Sequence, residues 1–341
     1  MKPADTLALT IMPAPKISVI IPCYNEQATI RLLLDALSSQ TFPHTNMEIL
    51  IADGMSTDHT REEIAAWQAA HTGINIRVLD NPARNIPAAL NHGLRAAQGE
   101  YILRLDAHSV PAADYAARCV AALDFGVAEN VGGVWEIMPG AVTPMGRAIA
   151  AAAAHPLGVG DAQYRHATQP QFVDTVPFGA FRRSLVAQIG YFDETLLTNE
   201  DYEFNTRIRQ AGGKIWLDPA IRSRYFARPN LRALAQQYLR YGFWKGRMLR
   251  RYPETLRWRQ ALPPLFIAGV LTLMGLAAFF GWARALLGVV LLTYFGALII
   301  AGVRAASVKA DPSLIFGLPL AIGTMHFCWG GAFLWSLVRF K

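Results

Sequence analysis

The sequence predicts an α/β protein: a doubly wound, mostly parallel sheet followed by an amphipathic interfacial helix and C-terminal transmembrane helices. Three observations carry this. Through residues 16–226, apolar β-branched runs alternate with stretches of helical spacing. Strands that are apolar throughout belong in a parallel sheet covered on both faces. Residues 228–259 interleave Leu231, Leu234, Tyr238, Tyr241, Phe243 and Trp244 with arginines, as helices lying at a bilayer interface do. Three uncharged stretches follow, each long enough to cross about 30 Å of hydrocarbon.

Taken in order, the strands are "ISVIIP" at 17–22, "MEILIAD" at 47–53, "NIRVLD" at 75–80 and "YILRLD" at 101–106. Between them, Glu26–Gln40, Asp58–His71 and Pro87–Gln98 carry helical patterns. The segment His155–Val176 is long, polar and contains glycine, as a lid over a binding site would be. The spans are Ala261–Ala283, Ala285–Val303 and Pro312–Val338, with a tight loop at Arg284. These patterns divide the chain into a first domain over residues 1–227, a basic interface region over 228–260 and a membrane domain over 261–341. Between Arg222 and Arg259 lie eleven Lys or Arg and one acid, Glu254. Basic flanks stay on the cytoplasmic side, so the first domain is expected to face the cytoplasm, with the tail from Arg339 on the far side.

Composition excludes several classes. With 52% apolar residues the chain is rich in them for a wholly soluble protein. The cysteines, Cys23, Cys119 and Cys328, are odd in number and widely separated, which argues against a disulfide framework or a zinc site. No Gly-x-Gly-x-x-Gly follows the first strand and no Gly-Lys-Ser/Thr loop occurs, which removes the dinucleotide and P-loop folds. Met1–Pro15 lacks the apolar core of a secretory signal. The net charge of +7 could suit nucleic acid, but the basic run leads directly into apolar spans and points to anionic lipid; no nucleic-acid partner is expected.

In a doubly wound sheet the ligand binds beyond the carboxyl ends of the strands, where polar clusters sit. Asp106 and His108 could aim a carboxylate and an imidazole at one cation, a pair that suits Mn²⁺ better than Mg²⁺; equally, Asp106 or Ser109 could cap a helix opened by Pro111. Asp53 could accept from a nucleobase or ribose, or hold a turn beside Thr57 and Asp58. Glu200 and Asp201 could supply a general base for a hydroxyl nucleophile, or, with Thr198, form a capping box at a helix start. Trp135, Trp216 and Trp244 could stack on sugar or pack in the core.

Together, "ISVIIPCYNE", "ILIADGMSTDHT", "LRLDAHS" and "NEDYEF", in this order, resemble the family 2 glycosyltransferases over about residues 16–250. The resemblance implies the GT-A-like sheet of that family. It implies that Pro22, Tyr24, Asn25 and Glu26 line a nucleotide pocket, that Asp53 contacts a uracil, and that Asn91 and Gly93 lie on the helix closing that pocket, with Arg84 near the phosphates. Asp106 and His108 stand where the family carries its metal-binding Asp-x-Asp, so Mn²⁺ or Mg²⁺ is the expected cofactor. The histidine replaces a second carboxylate and leaves the site one charge less negative. Asp201 stands at the family's catalytic base, with Glu200 beside it. "DAHS", "GVGDAQYR", "FGAFRR" and "YGFWKGR" look like the bacterial succinoglycan-biosynthesis branch. The donor would then be a UDP-hexose, with glucose the favoured sugar, the acceptor a polyprenyl-diphosphate-linked saccharide, and the location the bacterial cytoplasmic membrane. Gln237, Arg240 and Tyr241 resemble the Gln-x-x-Arg-Trp motif of polysaccharide synthases, which borders acceptor and leaving diphosphate; Gly179 and Ala180 would form an acceptor wall. The competing readings are a processive polysaccharide synthase, a polyprenyl-phosphate sugar synthase and an inactive membrane-bound nucleotide-binding protein.

Overall fold

The computed structural model describes residues 15–160 and 162–339. Nearly all of the segment Met1–Pro15, residue 161 within the expected lid and residues 340–341 of the tail lie outside the described residues.

The parallel half of the sheet forms as its sequence requires. β1 (Ile17–Cys23) and β2 (Met47–Asp53) are apolar and buried almost throughout, and pair in parallel. They are linked by α1 (Ile30–Ser38), whose Ile30, Leu33, Leu34 and Leu37 face the core at helical spacing. α2 (Thr60–Ala70) leads to β3 (Asn75–Asp80), which pairs with β2 at the sheet edge and is buried most deeply at Ile76. α3 (Ile86–Ala96) is capped by Asn85, whose side chain accepts from the Ala88 amide. Gly93 lets α3 lie on β1, since a Cβ there would sit 2.3 Å from a methyl of Ile20. β4 (Tyr101–Arg104) then pairs with β1, giving the order β3-β2-β1-β4.

Beyond β4 the sheet is mixed. β5 (Val110–Pro111), α4 (Tyr115–Asp124) and β6 (Asn130–Met138) come next. α5 (Pro144–Ala154) and α6 (Pro156–Val159) precede β7 (Gln171–Phe172) and β8 (Ala180–Arg182). α7 (Leu185–Ile189), α8 (Glu200–Gln210) and the long β9 (Ile215–Phe226) complete the domain. β8 is antiparallel to both β4 and β6, while β9 is parallel to β6 and antiparallel to β5 and β7. The mostly parallel expectation therefore describes the N-terminal half, and antiparallel insertions curl the rest. Gly133 makes the β6–β9 bulge possible, because a Cβ would lie 1.8 Å from the Ile221 carbonyl. The segment 155–176 is not one open loop: it holds α6 and β7, and His155 caps α6 through its ring nitrogen.

α9 (Leu231–Leu249) is the expected amphipathic helix, capped by Asn230. It is more than interfacial. Gly242 and Gly246 bring it so close to the last helix that a Cβ on either would lie 2.1 Å from the Trp329 carbonyl oxygen or 1.8 Å from Ser336 Oγ. α10 (Trp258–Ala277), α11 (Gly281–Lys309) and α12 (Leu314–Val338) are each long and apolar enough to cross a membrane. The expected loop at Arg284 is corrected: the break falls at 278–280 and Arg284 lies in the first turn of α11. An arginine one turn into a helix can reach outward to the interface along its aliphatic stem, so a charge there need not mark a loop. α10 and α11 expose Leu265, Leu271, Leu292 and Ile300. α12 instead lies along the α/β domain. Its N-terminal end meets α5, where Gly317 abuts Ala148 and Arg147 pairs with Asp311 at 2.6 Å; its C-terminal end meets α9.

Candidate active site

The loops after β1 and β2 are joined by side chains. Asn25 has a left-handed backbone (φ 54°), and its amide oxygen accepts from the Thr57 N–H at 2.8 Å while its own N–H donates to Ser56 Oγ at 2.9 Å. The Glu26 N–H donates to Thr60 Oγ1 at 2.8 Å. A left-handed Asn held by two partners is strain of the kind that persists at ligand-binding loops. Tyr24 lies against Gly54 with nearly half its surface exposed, and Pro22 is half-buried just before it.

Asp53 is fully buried, and its carboxylate accepts from the Ser56 N–H and hydroxyl and from Arg61 Nε at 2.6 Å. Arg61 bridges it to Asp80, also at 2.6 Å. Asp53 is thus the anchor of the β2–α2 loop and shapes the pocket through Arg61 and Ser56. Asn91 is also buried, and its amide holds Phe192 through both backbone groups at 2.9 Å and Glu194 at 2.8 Å. Arg84 is exposed on a left-handed turn.

Asp106 pairs with Arg104 at 3.3 Å, and His108 turns to Glu26. His108 Nδ1 lies 3.0 Å from Glu26 Oε1. Burial disfavours charge on both groups, but their mutual hydrogen bond and attraction outweigh it, so Glu26 sits below and His108 above its ordinary pKa. This carboxylate–imidazole contact fixes the ring and leaves Nε2 as the ligating nitrogen, an arrangement metal-bound histidines share. Among the described residues no group of three or more His, Cys, Asp or Glu forms a complete metal cage. Two donors, a carboxylate and an imidazole, fit a cation that takes its remaining ligands from substrate phosphates and water, and the nitrogen favours Mn²⁺ over Mg²⁺. The cation would compete with the proton for Nε2.

Arg104, which was not anticipated from the sequence, joins this pair to the other acidic cluster. Its Nη2 donates to Glu200 Oε1 at 2.8 Å and to Asp106 Oδ1 at 3.3 Å, while its buried Nε and Nη1 have no hydrogen-bond partner among the described residues. Burial pushes the Glu200 pKa up; Arg104 opposes this and Asp201 adds to it. The expected capping box at Thr198 is not formed. Asn199 precedes α8 in a left-handed conformation (φ 68°) with no side-chain cap, and Thr198 Oγ1 donates to the Leu197 carbonyl. Asp201 is half-buried beside Glu200, and its Oδ1 accepts from the Tyr202 N–H at 2.7 Å. Glu200 is thus committed to Arg104, whereas Asp201 is half-buried and holds only a backbone N–H among the described residues.

Gly179 and Ala180 belong to the sheet core. Ala180 pairs with Leu103 and Val131, and the Asn130 amide occupies the space that a Cβ on Gly179 would fill. Gln237 is buried and donates to the hydroxyls of Tyr225 and Tyr241, whereas Arg240 is exposed. Trp135 is stacked on Tyr225 at 4.2 Å, Trp216 packs edge-on against Phe172, and Trp244 lies against Phe243. Two further cations were missed. Lys245 on α9 is buried over the Tyr202 ring at 4.0 Å, and burial pushes its pKa down to about 7. Arg165 sits among Trp135, Tyr164 and Tyr225. A lone arginine in a polar segment gives no sequence signal of such surroundings; for Lys245 the two glycines flanking it on α9 were the available hint.

Comparison with known proteins places the fold and the family. Over 326 residues the chain is 27% identical to a dolichyl N-acetyl-alpha-D-glucosaminyl phosphate 3-beta-D-2,3-diacetamido-2,3-dideoxy-beta-D-glucuronosyltransferase of Methanococcus voltae, covering 95% of this chain and 97% of that one. Over 335 residues it is 29% identical to the succinoglycan biosynthesis protein ExoA of Rhizobium meliloti, covering 95% of each. Among solved structures, the mannosyltransferase PcManGT of Pyrobaculum calidifontis, in complex with GDP-Man and Mn²⁺, superposes with a TM-score of 0.64 at 20% identity, over 95% of this chain and 88% of that one. That likeness establishes the GT-A-like fold. Residues 18–190, half of the chain, match the model of glycosyl transferase family 2, and to this family the chain belongs.

Proposed function

We propose that the protein is an inverting, metal-dependent glycosyltransferase that moves a sugar from a nucleotide-sugar, a UDP-hexose with glucose favoured, to a polyprenyl-diphosphate-linked saccharide during bacterial exopolysaccharide assembly. The observation that carries this reading is the chain of charged contacts Glu26–His108 and Asp106–Arg104–Glu200, which leads from the β1 loop to Asp201 at the start of α8. The nucleotide occupies the pocket over Tyr24 and the clasped loops of Asn25 and Asp53. Asp201 takes the proton of the acceptor hydroxyl as its oxygen attacks the anomeric carbon from the face opposite the leaving diphosphate, which inverts the configuration. Arg104 opposes the upward push of burial on the Glu200 pKa and holds Asp106 in place. A divalent cation at Asp106 and His108, when bound, supplies Lewis-acid neutralisation of the diphosphate.

The lipid-linked acceptor is supported by the two curated relatives, whose names carry a dolichyl-phosphate-linked sugar and succinoglycan biosynthesis, and by the packing of the domain on an apolar helix. The site would face the cytoplasm, with the apolar helices in the bacterial inner membrane and the basic residues of α9 toward anionic lipid. The test is release of nucleoside diphosphate from a panel of UDP- and GDP-sugars by membranes containing the protein, with bacterial lipid extract and Mn²⁺ or Mg²⁺. Turnover that needs both acceptor and metal, falls at least about 100-fold in Asp201→Asn, and yields a lipid one sugar longer supports the reading. Turnover indifferent to Asp201→Asn sinks the assignment of the base.

A further inference from the structure

Arg165 and Arg228 line one small cavity together with Tyr225, Gln237 and Tyr238. Neither arginine pairs with a carboxylate among the described residues. Arg165 donates to the Ala153 carbonyl at 3.0 Å and is otherwise enclosed by the rings of Trp135, Tyr164 and Tyr225 at 5.1, 5.4 and 5.8 Å. Arg165 has only aromatic faces and one carbonyl against its charge, and Arg228 only the longer-range attraction of Glu26, so an anion between them would be favoured. The neutral groups nearby also suit an anion: the Tyr225 and Tyr241 hydroxyls are held by Gln237 at 3.1 and 2.9 Å. The indole N–H of Trp135, stacked on Tyr225, has no hydrogen-bond partner among the described residues. Planar guanidinium forks bind the paired oxygens of a phosphate or a carboxylate.

Two features of the surroundings point to a phosphate carried by a lipid. The remaining wall is apolar, formed by Ile149, Ala153 and Leu234. Those residues belong to α5 and α9, the two helices that pack on the apolar α12. The cavity also has the right reach. From Gln237 to Lys245, just over two turns, α9 rises about 12 Å, and Lys245 lies over Tyr202, next to Asp201. That span fits a phosphate joined to a short saccharide whose far hydroxyl meets the base.

We propose that Arg165 and Arg228, rather than the exposed Arg240, hold the phosphate of the membrane-borne acceptor, with the first isoprene units against α5 and α12. The proposal rests on the reading of a lipid-linked acceptor given above. The cavity between the two arginines is about 10 Å³, room for a single water, so phosphate binding requires the half-buried Arg228 side chain to move outward. The same chemistry could serve the donor diphosphate, because the charge of Arg228 also reaches Glu26 and His108.

The test is calorimetric binding to the full-length protein in detergent of three probes: farnesyl diphosphate, inorganic pyrophosphate and UDP with Mn²⁺. Wild type is compared with Arg165→Gln, Arg228→Gln, their lysine counterparts, and the exposed Arg232→Gln. The expected result is that farnesyl diphosphate binds more tightly than pyrophosphate and that each glutamine variant weakens it at least about tenfold. The lysine variants lose less, Arg232→Gln loses nothing, and UDP binding holds throughout, which also reports an intact fold. Should Arg165→Gln fail to fold, Arg228→Gln and Arg165→Lys carry the comparison. Equal binding of farnesyl diphosphate by all variants overturns the proposal, as does loss of UDP in its place, which would assign the arginines to the donor. Pyrophosphate binding as tight as farnesyl diphosphate removes the lipid from it. Arginine-dependent farnesyl diphosphate binding without sugar transfer from any donor keeps the site and discards the transferase reading. Transfer to lipid acceptor that ignores both glutamine variants does the reverse.

Discussion

Replacing Arg104 with Met isolates the central electrostatic element of the site. The Arg104 side chain is 8% exposed and that of Glu200 6%, and Nη2 is shared between Glu200 and Asp106. Removing one partner of a buried ion pair costs about 3–5 kcal/mol, because the remaining charge is left without compensation. Against this, the variant no longer buries the unpaired Nε and Nη1 donors, each worth about 1–3 kcal/mol when orphaned. With each donor taken at the lower end of that range, the two together offset about 2 kcal/mol, which leaves a net destabilisation of about 2 kcal/mol at pH 8.

The pH dependence gives the sharper signature. Glu200 already has a raised pKa from burial, and loss of Arg104 raises it further. A carboxyl group whose folded pKa lies above its unfolded value binds more protons when folded, so its penalty appears as pH rises from the unfolded pKa through the folded one. Arg104→Met is therefore nearly as stable as wild type at pH 5 and falls behind by pH 8. The assay is thermal unfolding in detergent at both values for Arg104→Met, Glu200→Gln and the double variant. The double variant should recover about 1–2 kcal/mol, since the neutral amide of Glu200→Gln leaves no charge to orphan. A loss equal at pH 5 and pH 8, or a coupling under about 0.5 kcal/mol, would mean that Arg104 acts by packing and that the electrostatic argument is wrong.

Three further outcomes are expected. Asn25→Ala breaks the clasp between the first two loops and loses the residue type that tolerates φ 54°; UDP titration should weaken about five- to tenfold, with thermal stability down by about 1–2 kcal/mol. Gly242→Leu drives a side chain into the Trp329 carbonyl and should cost more than about 3 kcal/mol or abolish folded yield, whereas Gly269→Ala on α10, with nothing within 4 Å, should fold normally. Lys245→Met removes a buried amine pushed down to about 7 from 10.5. The folded state then binds fewer protons than the unfolded one between those values, so wild-type stability rises with pH across that window. The advantage of the variant should accordingly be largest near pH 7 or below, shrink by about 1.4 kcal/mol per pH unit, and vanish near pH 10.5; a difference independent of pH would show that Lys245 is solvated.

What could be read from the sequence was what local pattern dictates. β1 and β2 are apolar at nearly every position, so their burial in a parallel sheet followed directly. Polar residues at strand ends drew attention to Glu26 and His108, which the fold brings within hydrogen-bond distance of each other. β6 and β9 escaped because Gly132, Gly133 and Pro219 interrupt their patterns, and the bulge these residues accompany is explained only by the pairing. Thr198 looked like a cap because capping is a local rule; Asn199 overrides it with a left-handed backbone that no local pattern announces. Arg104 read as a strand residue, and its role depends on Glu200, nearly a hundred positions away.

The same distinction explains α9. Its arginines and aromatics marked it as interfacial, and its glycines carry the more consequential information. Gly242 and Gly246 set one face of α9 directly against α12, and on the same helix Gln237 and Lys245 face the aromatic cavity and Tyr202. A lone interfacial helix could slide or roll by several ångströms as lipid composition changes. A helix whose glycines are in backbone contact with an apolar neighbour cannot, because any shift meets the Trp329 carbonyl or Ser336 Oγ. The height of Lys245, and through Tyr202 that of Asp201, is thereby fixed relative to α12. If the acceptor is tethered in a bilayer and Asp201 is the base, as proposed above, that height sets which hydroxyl reaches the carboxylate, and loosening the α9–α12 contact with Gly246→Ala should broaden the range of products.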